Sequence, residues 1–268
     1  MRIETAEDVR ALARSHDLQA ERLIAIESGW DSIVYEVDDD WIFRVPRRPE
    51  VVEWLRAEAE LLPALAARLP APVPHFEIAA FGDVSYVAYR KLHGEPLHPG
   101  IDSAALGAAV GTFLAALHAF PAVPARGRTD VLPSFRQRVL PLLDDDERPL
   151  AESLLDEAAS STFDRVLVHG DLGAEHILHA GDELTGVIDW SDAHGGDPAI
   201  DFAWTLFGTG PRFAHVLAET YGVGDALRAR ALVFHKLGPW HEALHGLETD
   251  QPQLVTSGLA ALRERLRR

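Results

Sequence analysis

Two short apolar segments, each followed by an aspartate, interrupt the helical second half of this 268-residue chain. The first reads Arg165-Val166-Leu167-Val168-His169-Gly170-Asp171 and the second reads Leu184-Thr185-Gly186-Val187-Ile188-Asp189-Trp190. Aliphatic and β-branched runs of this length are typical of buried strands. Two strands that each deliver an acid at the carboxyl end can place two carboxylates in one cleft, which is what metal and phosphate chemistry requires.

The first ~90 residues alternate between strand patterns and a single long helical stripe. Apolar positions recur at helical spacing from Glu50 to Ala67, before a proline-rich stretch ends the helix. The pattern also predicts a first helix within Thr5 to Leu18, and hairpins that join Ile33–Val37 to Trp41–Val45 and Ile78–Phe81 to 84–92. The strand and helix patterns of this part of the chain together predict a small α+β lobe.

The remaining residues are mainly helical. One helix is expected to begin at Asp102-Ser103 and to end near Pro121, and helical periodicity runs from Phe202 to the end of the chain. We therefore predict an α+β, two-lobed protein in which residues 1–92 form the N-terminal lobe and residues 93–268 form a larger helical lobe.

Composition excludes several classes of protein. With no cysteine, the chain has no disulfide, no thiolate metal site and no cysteine nucleophile. The acidic start Met1 to Asp8 does not resemble a signal peptide, and no long apolar run follows, so we expect a cytoplasmic protein with no membrane contact. A formal charge of −17 disfavours nucleic acid and favours a cationic small molecule as partner. We expect a monomer.

The loop that follows the first of the two strands carries the most specific motif. It reads His169-Gly170-Asp171-Leu172-Gly173-Ala174-Glu175-His176, with a second polar residue five positions after the aspartate. This loop, together with Ile188-Asp189-Trp190, resembles the catalytic and metal-binding segments of protein kinases and of the aminoglycoside phosphotransferase superfamily. The resemblance spans almost the whole chain and implies a protein-kinase-like two-lobed fold.

Within that superfamily the sequence is most similar to macrolide 2′-phosphotransferases. Arg44-Val45-Pro46-Arg47-Arg48 matches their third-strand signature, and His176 stands where they carry histidine. The resemblance implies that Asp171 is the catalytic base and that His176 and Asp189 hold Mg²⁺. His169 is expected to be structural, whereas the sequence leaves open whether Asp201 caps its helix or supports the catalytic loop.

The chain has no lysine before Lys91, although protein kinases use a third-strand lysine paired with a glutamate on the next helix. Arg44 occupies the matching strand position, and its guanidinium can contact phosphate or a carboxylate. Glu58 is its expected partner, with Glu60 as the alternative.

The resemblance also indicates where the nucleotide binds. The phosphate-covering loop is expected at Glu27 to Ser32, where Ser28, Ser32 and backbone N–H groups could contact phosphate. The base-reading hinge would be Tyr89-Arg90-Lys91-Leu92, so Tyr89 and Lys91 are candidate nucleotide residues. The resemblance implies GTP or ATP as the donor.

The expected reaction is phosphoryl transfer to the 2′-hydroxyl of a macrolide amino sugar. Phe234 to Leu247 is aromatic and has one acid, Glu242, which fits a large apolar cation better than a polycation. An aminoglycoside O-phosphotransferase of the same fold is the first alternative. A metabolite kinase and a non-catalytic nucleotide-binding protein on a kinase scaffold also remain open.

Overall fold

The protein is described from a computed structural model, which covers residue 3 and the ranges 5–26, 29–121 and 131–267. The chain divides into two compact units. The first contains Met1–Leu97 and Glu175–Ala193, and the second contains His98–Ala174 and His194–Arg268. The segment that carries His176 and Asp189 is thus grouped with the N-terminal residues, although the sequence pattern assigned it to the helical lobe.

The first unit is built on a five-stranded antiparallel sheet of order β1-β2-β3-β5-β4. Its strands are β1 (Leu23–Ile26), β2 (Ser32–Val37), β3 (Trp41–Pro46), β4 (Ile78–Phe81) and β5 (Val84–Arg90). Its helices are α1 (Ala6–Arg14) and α2 (Pro49–Ala66). The last strands of the unit form a second sheet of order β6-β8-β9, made of β6 (Glu95–Pro96), β8 (Ile177–Ala180) and β9 (Glu183–Val187).

The two faces of the five-stranded sheet differ in chemistry. One face packs against α1 through a core that includes Leu12, Phe43 and Tyr86. The register pairs Val34 with Arg44, so these two residues share the opposite face. Alternation along β3 therefore separates an apolar core side from a side that carries a buried charge.

In its described residues, the second unit is helical apart from one short strand pair. Strand β7 (Val166–Val168) pairs antiparallel with β10 (His194–Gly196). Its helices are α3 (Ala104–His118), α4 (Leu132–Ser134), α5 (Arg148–Ser160), α6 (Ala199–Phe207), α7 (Pro211–Tyr221), α8 (Asp225–Glu248) and α9 (Pro252–Leu266). Between α4 and α5 the backbone makes one turn of π-helix (Phe135–Val139) and one of 3₁₀-helix (Leu140–Leu142), and the core of this region surrounds Trp240.

Local sequence signals predicted most of these elements correctly. Thr5 and Asp8 form the reciprocal capping box expected at the start of α1, and Ser103 caps α3. Both predicted hairpins are present, and α2 lies within one residue of the predicted bounds. Strands β1, β6, β8 and β10 were not predicted, because segments of two to four residues carry little periodicity. None of the helices in the described ranges is sufficiently long and apolar to span a membrane.

Candidate active site

Arg44, on β3, lies at the centre of a charged cluster in the first unit. Its Nη1 atom is 3.0 Å from both carboxylate oxygens of Glu58 on α2, and its Nη2 atom is 3.2 Å from Oδ1 of Asp189. The Arg44 and Glu58 side chains are buried, whereas the Asp189 side chain is 42% exposed. We call Arg44, Glu58 and Asp189 the Arg44 cluster.

The two carboxylates in this cluster stabilise the charge of Arg44. Burial alone would favour the neutral form of Arg44, but the carboxylates of Glu58 and Asp189 hold its pKa above the ordinary value. The main-chain N–H of Trp190 also donates to Glu58, so α2 is tied to the segment after β9. Arg44 pairs with Glu58 as expected, and the same guanidinium also contacts Asp189, which the sequence did not indicate.

Asp189 has an unusual backbone conformation. Its φ is +63°, in the left-handed region that non-glycine residues seldom adopt and that aspartate tolerates better than most. Its Oδ1 atom accepts hydrogen bonds from Arg44 and from the hydroxyl of Ser191, and its Oδ2 atom lies 3.8 Å from Nε2 of His176. Such conformations cluster at functional sites because the surroundings must hold them in place.

His176 and Asp189 suit a hard divalent cation that also binds phosphate oxygens. His176 and Asp189 lie side by side, and a half-exposed carboxylate is a normal Mg²⁺ ligand. Across the described ranges, no group of three or more histidine or acidic side chains is arranged to hold a metal ion. Phosphate oxygens and water would therefore have to complete the coordination shell, as Mg²⁺ usually requires.

Asp171 belongs to the second unit and follows β7. Its side chain is exposed, and its main chain is fixed by two contacts: its N–H donates to Nδ1 of His169, and its carbonyl accepts from Gly173. Gly170 has a φ of +87°, which makes the sharp turn that a side chain would disfavour. His169 is buried and acts on the backbone, as the sequence predicted.

The loop that carries Asp171 is anchored by Asp201 on α6. One oxygen of this buried carboxylate accepts the N–H of His169 at 2.8 Å, and the other accepts the N–H of Gly170 at 2.9 Å. Asp201 also contacts Nε2 of His118 at 3.1 Å, and Nδ1 of His118 lies 2.8 Å from the hydroxyl of Tyr221. We call His118, Asp201 and Tyr221 the Asp201 cluster. Asp201 supports the loop, which decides between the two roles that the sequence left open.

This anchoring network stabilises the ionised form of Asp201. Burial would raise the pKa of the carboxyl group, but the hydrogen bond and charge of His118 and the N–H of Gly170 hold it below the ordinary value. Because an ionised carboxylate only accepts, Nε2 of His118 carries the proton that it shares with Asp201.

The remaining predicted nucleotide residues are placed as follows. Ser28 lies outside the described residues. Ser32 is buried at the start of β2, and within the described chain its hydroxyl oxygen has no hydrogen-bond partner. Burial raises the pKa of Tyr89, and its hydroxyl contacts Arg44. The ammonium of Lys91 pairs with Glu36 at 2.7 Å, and its main-chain N–H donates to the carbonyl of Asp40, so that N–H is not available to a purine.

Comparison with known proteins places this geometry in a family. Residues 22–233 match the model described as APH, the phosphotransferase enzyme family. The chain belongs to this family. It is 32% identical over 237 residues to the uncharacterized protein YcbJ of Bacillus subtilis (strain 168), covering 75% of this chain and 76% of YcbJ. The family includes kinases of small molecules, so the predicted enzyme class is confirmed.

Solved structures of family members share the fold. Macrolide 2′-phosphotransferase type I is 29% identical, with a TM-score of 0.76 over 98% of this chain and 99% of that one. The GDP complex of wild-type aminoglycoside 2′-phosphotransferase-IIIa is 23% identical, with a TM-score of 0.86 over 98% and 99% of the two chains. The predicted α+β, protein-kinase-like fold is therefore confirmed.

Two groups of residues close to the candidate site residues were not indicated by the sequence. Ile24 and Ile26 of β1 are exposed, and the register places Ile26 opposite Val34 on the sheet face that carries Arg44. Exposed alternating aliphatic side chains on β1 were a usable signal. His118 and Tyr221 gave no signal, because each lies on a helix far from the loop in sequence.

Proposed function

We propose that this protein transfers the γ-phosphoryl group of GTP or ATP to the 2′-hydroxyl of the amino sugar of a macrolide. The Arg44 cluster is the observation that supports this proposal most strongly. A buried arginine holds one fully buried carboxylate and one half-exposed carboxylate, and the exposed one lies beside His176. That arrangement orients a half-exposed carboxylate oxygen that could bind a metal ion, as binding of a magnesium nucleotide requires.

The proposed nucleotide lobe is the first unit. Ile24, Ile26 and Val34 offer an apolar surface for the purine on the sheet face that carries Arg44. Arg44 orients Asp189, which with His176 would hold Mg²⁺, and the ion would neutralise charge on the phosphate oxygens. Ser32 and the segment before it would contact the phosphates.

The proposed base is Asp171 in the second unit. Its exposed carboxylate would accept the proton of the substrate hydroxyl while the hydroxyl oxygen forms a bond to the γ-phosphorus atom. The bond between that phosphorus and the bridging β-γ oxygen breaks, and the nucleoside diphosphate leaves with the electron pair. The N–H groups of His169 and Gly170, held by Asp201, fix the loop in the geometry that Asp171 needs.

The aromatic character of α8 does not by itself favour a macrolide as the acceptor, because Trp240 and its partner Phe135 are fully buried in the helical core. Phe135 packs against Trp240 at a ring separation of 5.5 Å and against His241 at 4.9 Å, while Phe207 packs against His235 at 5.4 Å. Glu242, the acid between these rings in sequence, accepts a hydrogen bond from Ser257. Similarity to macrolide 2′-phosphotransferase type I is the observation that supports a macrolide acceptor.

An aminoglycoside is the second candidate acceptor. The fold superposes on aminoglycoside 2′-phosphotransferase-IIIa with a TM-score of 0.86, and the formal charge of −17 suits a polycation. We propose a cytoplasmic monomer in either case.

A substrate panel tests the proposal. Purified protein is incubated with Mg²⁺, ATP or GTP, and erythromycin or kanamycin, and the products are analysed by mass spectrometry. We expect erythromycin to gain one phosphate, and Asp171→Ala to reduce turnover by about 100-fold or more without changing nucleotide affinity. Phosphorylation of kanamycin alone would exclude the macrolide. Unchanged turnover in Asp171→Ala would exclude Asp171 as the base.

A further inference from the structure

Two arginines in a rigid link follow β3. The link reads Pro46-Arg47-Arg48-Pro49, in which Pro46 ends β3 and Pro49 begins α2. Both prolines have a fixed φ, and the residue before a proline is confined to extended conformations. Arg48 obeys this restriction, with φ −141° and ψ 151°. The backbone therefore presents both side chains from a position that has little freedom.

Both arginines contact the residues that immediately precede β2. Arg47 donates from Nε to the carbonyl of Gly29 at 3.0 Å and from its main-chain N–H to the carbonyl of Asp31 at 2.8 Å. Arg48 donates from Nη1 to the carbonyl of Trp30 at 3.2 Å and from Nη2 to the Asp31 carboxylate at 2.6 Å. Three consecutive carbonyl groups of the 29–31 segment are thus bound by two consecutive arginines.

The direction of these carbonyl groups fixes the direction of the amides. In a planar trans peptide the C=O of one residue and the N–H of the next point to opposite sides, and no cis peptide occurs among the described residues. The N–H groups of Asp31 and Ser32 therefore point away from the donors on Arg48 and Arg47, which bind the carbonyl groups of Trp30 and Asp31. Successive N–H groups that face one side of a turn form a binding site for anions.

The strand register places this segment next to the Arg44 cluster. Ser32 lies opposite Pro46, and Val34 lies opposite Arg44, so Ser32 and Arg44 share one face of the sheet. The hydroxyl of Ser32 is buried and has no partner in the described chain, so it can still accept or donate a hydrogen bond. At Gly29 an added Cβ would lie 2.9 Å from the carbonyl oxygen of Ser32, which keeps this turn tight.

We propose that Arg47 and Arg48 are positioning residues for the phosphates of the bound nucleoside triphosphate. They bind the carbonyl groups of the 29–31 segment and so leave the N–H groups of Asp31 and Ser32, together with the hydroxyl of Ser32, to the phosphate oxygens. The inference rests on the proposed phosphotransferase function, but its central contacts are properties of the protein without ligand.

Nucleotide binding by the full-length protein tests the inference. The dissociation constants of a non-hydrolysable triphosphate analogue with Mg²⁺, and of the corresponding nucleoside, are measured by calorimetry. Arg48→Gln removes both side-chain contacts of Arg48, and we expect it to weaken triphosphate binding about tenfold and leave nucleoside binding unchanged. Arg48→Lys keeps the charge without the fork of donors, and we expect it to behave like Arg48→Gln.

Asp31→Ala separates positioning from simple charge attraction. Removing an acid near a triphosphate should tighten binding if only the net charge matters. If Arg48 acts by holding the segment through Asp31, the same substitution should weaken triphosphate binding several-fold, and Arg48→Gln should add little to it. Hydrogen exchange of residues 29–32 in the ligand-free protein should be faster in both variants.

The ion pair of Arg22 with Asp39 in the same unit supplies a matched control. It is also exposed, and it lies at the turn between β2 and β3. Arg22→Gln and Asp39→Ala should leave both dissociation constants within about twofold of wild type.

The outcomes distinguish failure of the phosphotransferase proposal from failure of the positioning role of Arg47 and Arg48. If the wild type binds no nucleotide, the phosphotransferase proposal fails and this inference fails with it. If the wild type binds nucleotide and Arg48→Gln behaves like the controls, the positioning role alone is wrong. Tighter binding by Asp31→Ala, or full retention of affinity by Arg48→Lys, would mean that the arginines attract the phosphates directly, which also overturns it.

Discussion

The Arg44 cluster and the Asp201 cluster are both built around a buried ionised group, yet they differ in what lies at their edge. In the Arg44 cluster one partner, Asp189, remains 42% exposed, whereas in the Asp201 cluster the side chains of His118 and Asp201 are 3% and 0% exposed. A charged group that is exposed to solvent can bind a ligand in place of its protein partner. A charge whose acceptor positions are filled by the protein's own N–H groups can only fix the backbone around it.

The difference indicates how each cluster should respond to substitution. Changes at the exposed edge of the Arg44 cluster should reduce the reaction and leave the fold intact. Changes inside the Asp201 cluster should reduce stability and reaction together, because the N–H groups of His169 and Gly170 would lose their acceptor.

Asp189→Asn should have the largest effect on the reaction. The amide keeps an acceptor for Arg44 and Ser191 but lacks the charge that a cation requires, so we expect phosphoryl transfer to fall by about 100-fold or more. Because Asp189 is half exposed, the free energy of unfolding should change by less than about 1 kcal/mol. Steady-state kinetics and urea unfolding measure the two quantities. Asp182→Asn, in the exposed turn between β8 and β9, is the control.

Asp201→Asn should reduce stability more than any change at Asp189. One acceptor oxygen is lost in a fully buried network, at a cost of about 3 kcal/mol, and transfer should fall with it. Urea unfolding and turnover are compared in one preparation. Loss of turnover with unchanged stability would show that Asp201 does not anchor the loop and would remove the contrast between the clusters.

Arg44→Lys should have an intermediate effect on both quantities. An ammonium cannot hold Glu58 and Asp189 with the two separate nitrogens that they now contact, so we expect a loss of about 2 kcal/mol in stability and a higher nucleotide dissociation constant. Calorimetry and urea unfolding provide the measurements. A lysine variant with wild-type stability would mean that Glu58 does not depend on the fork of donors.

Acid should weaken the contribution of the Asp201 cluster. The pKa of Asp201 is lower in the folded protein, so its contribution to stability is complete above the unfolded pKa of about 4 and is lost as the pH falls through the folded value. The stability difference between wild type and Asp201→Asn, measured by urea unfolding, should thus be constant near neutrality and shrink at lower pH. A difference that grows on acidification would contradict the ionised assignment.

Tyr221→Phe should have the smallest effect. It removes one hydrogen bond to His118, at a cost of about 1 kcal/mol, and should lower turnover by a few-fold. Tyr86→Phe removes the corresponding tyrosine–histidine hydrogen bond in the first unit, where the hydroxyl of Tyr86 lies 2.6 Å from Nε2 of His16. We expect similar losses of stability in both variants but reduced turnover only in Tyr221→Phe. Equal turnover in the two variants would mean that Tyr221 does not support the loop that carries Asp171.

Local patterns in the sequence were sufficient for much of the fold. The capping box of Thr5 and Asp8, the hairpins and the long helix α2 involve residues close together in the chain, so their signals are independent of the rest of the molecule. The same holds for the catalytic motif, whose residues 169–176 are contiguous. The pairing of Arg44 with Glu58 was predictable because a strand and the following helix separate them by only 14 positions.

Other features depend on contacts that no local pattern encodes. Arg44 meets Asp189 across 145 positions, and His118 meets Asp201 across 83. Arg48 reaches Asp31 only because the register of β2 and β3 brings the two ends of the hairpin together. The sequence by itself determined most of the helices and hairpins and the candidate reactive groups, since short-range sterics and periodicity specify them. Tertiary structure alone decided which charges are buried together, because pairing at long range depends on strand register and on the packing of helices from distant parts of the chain.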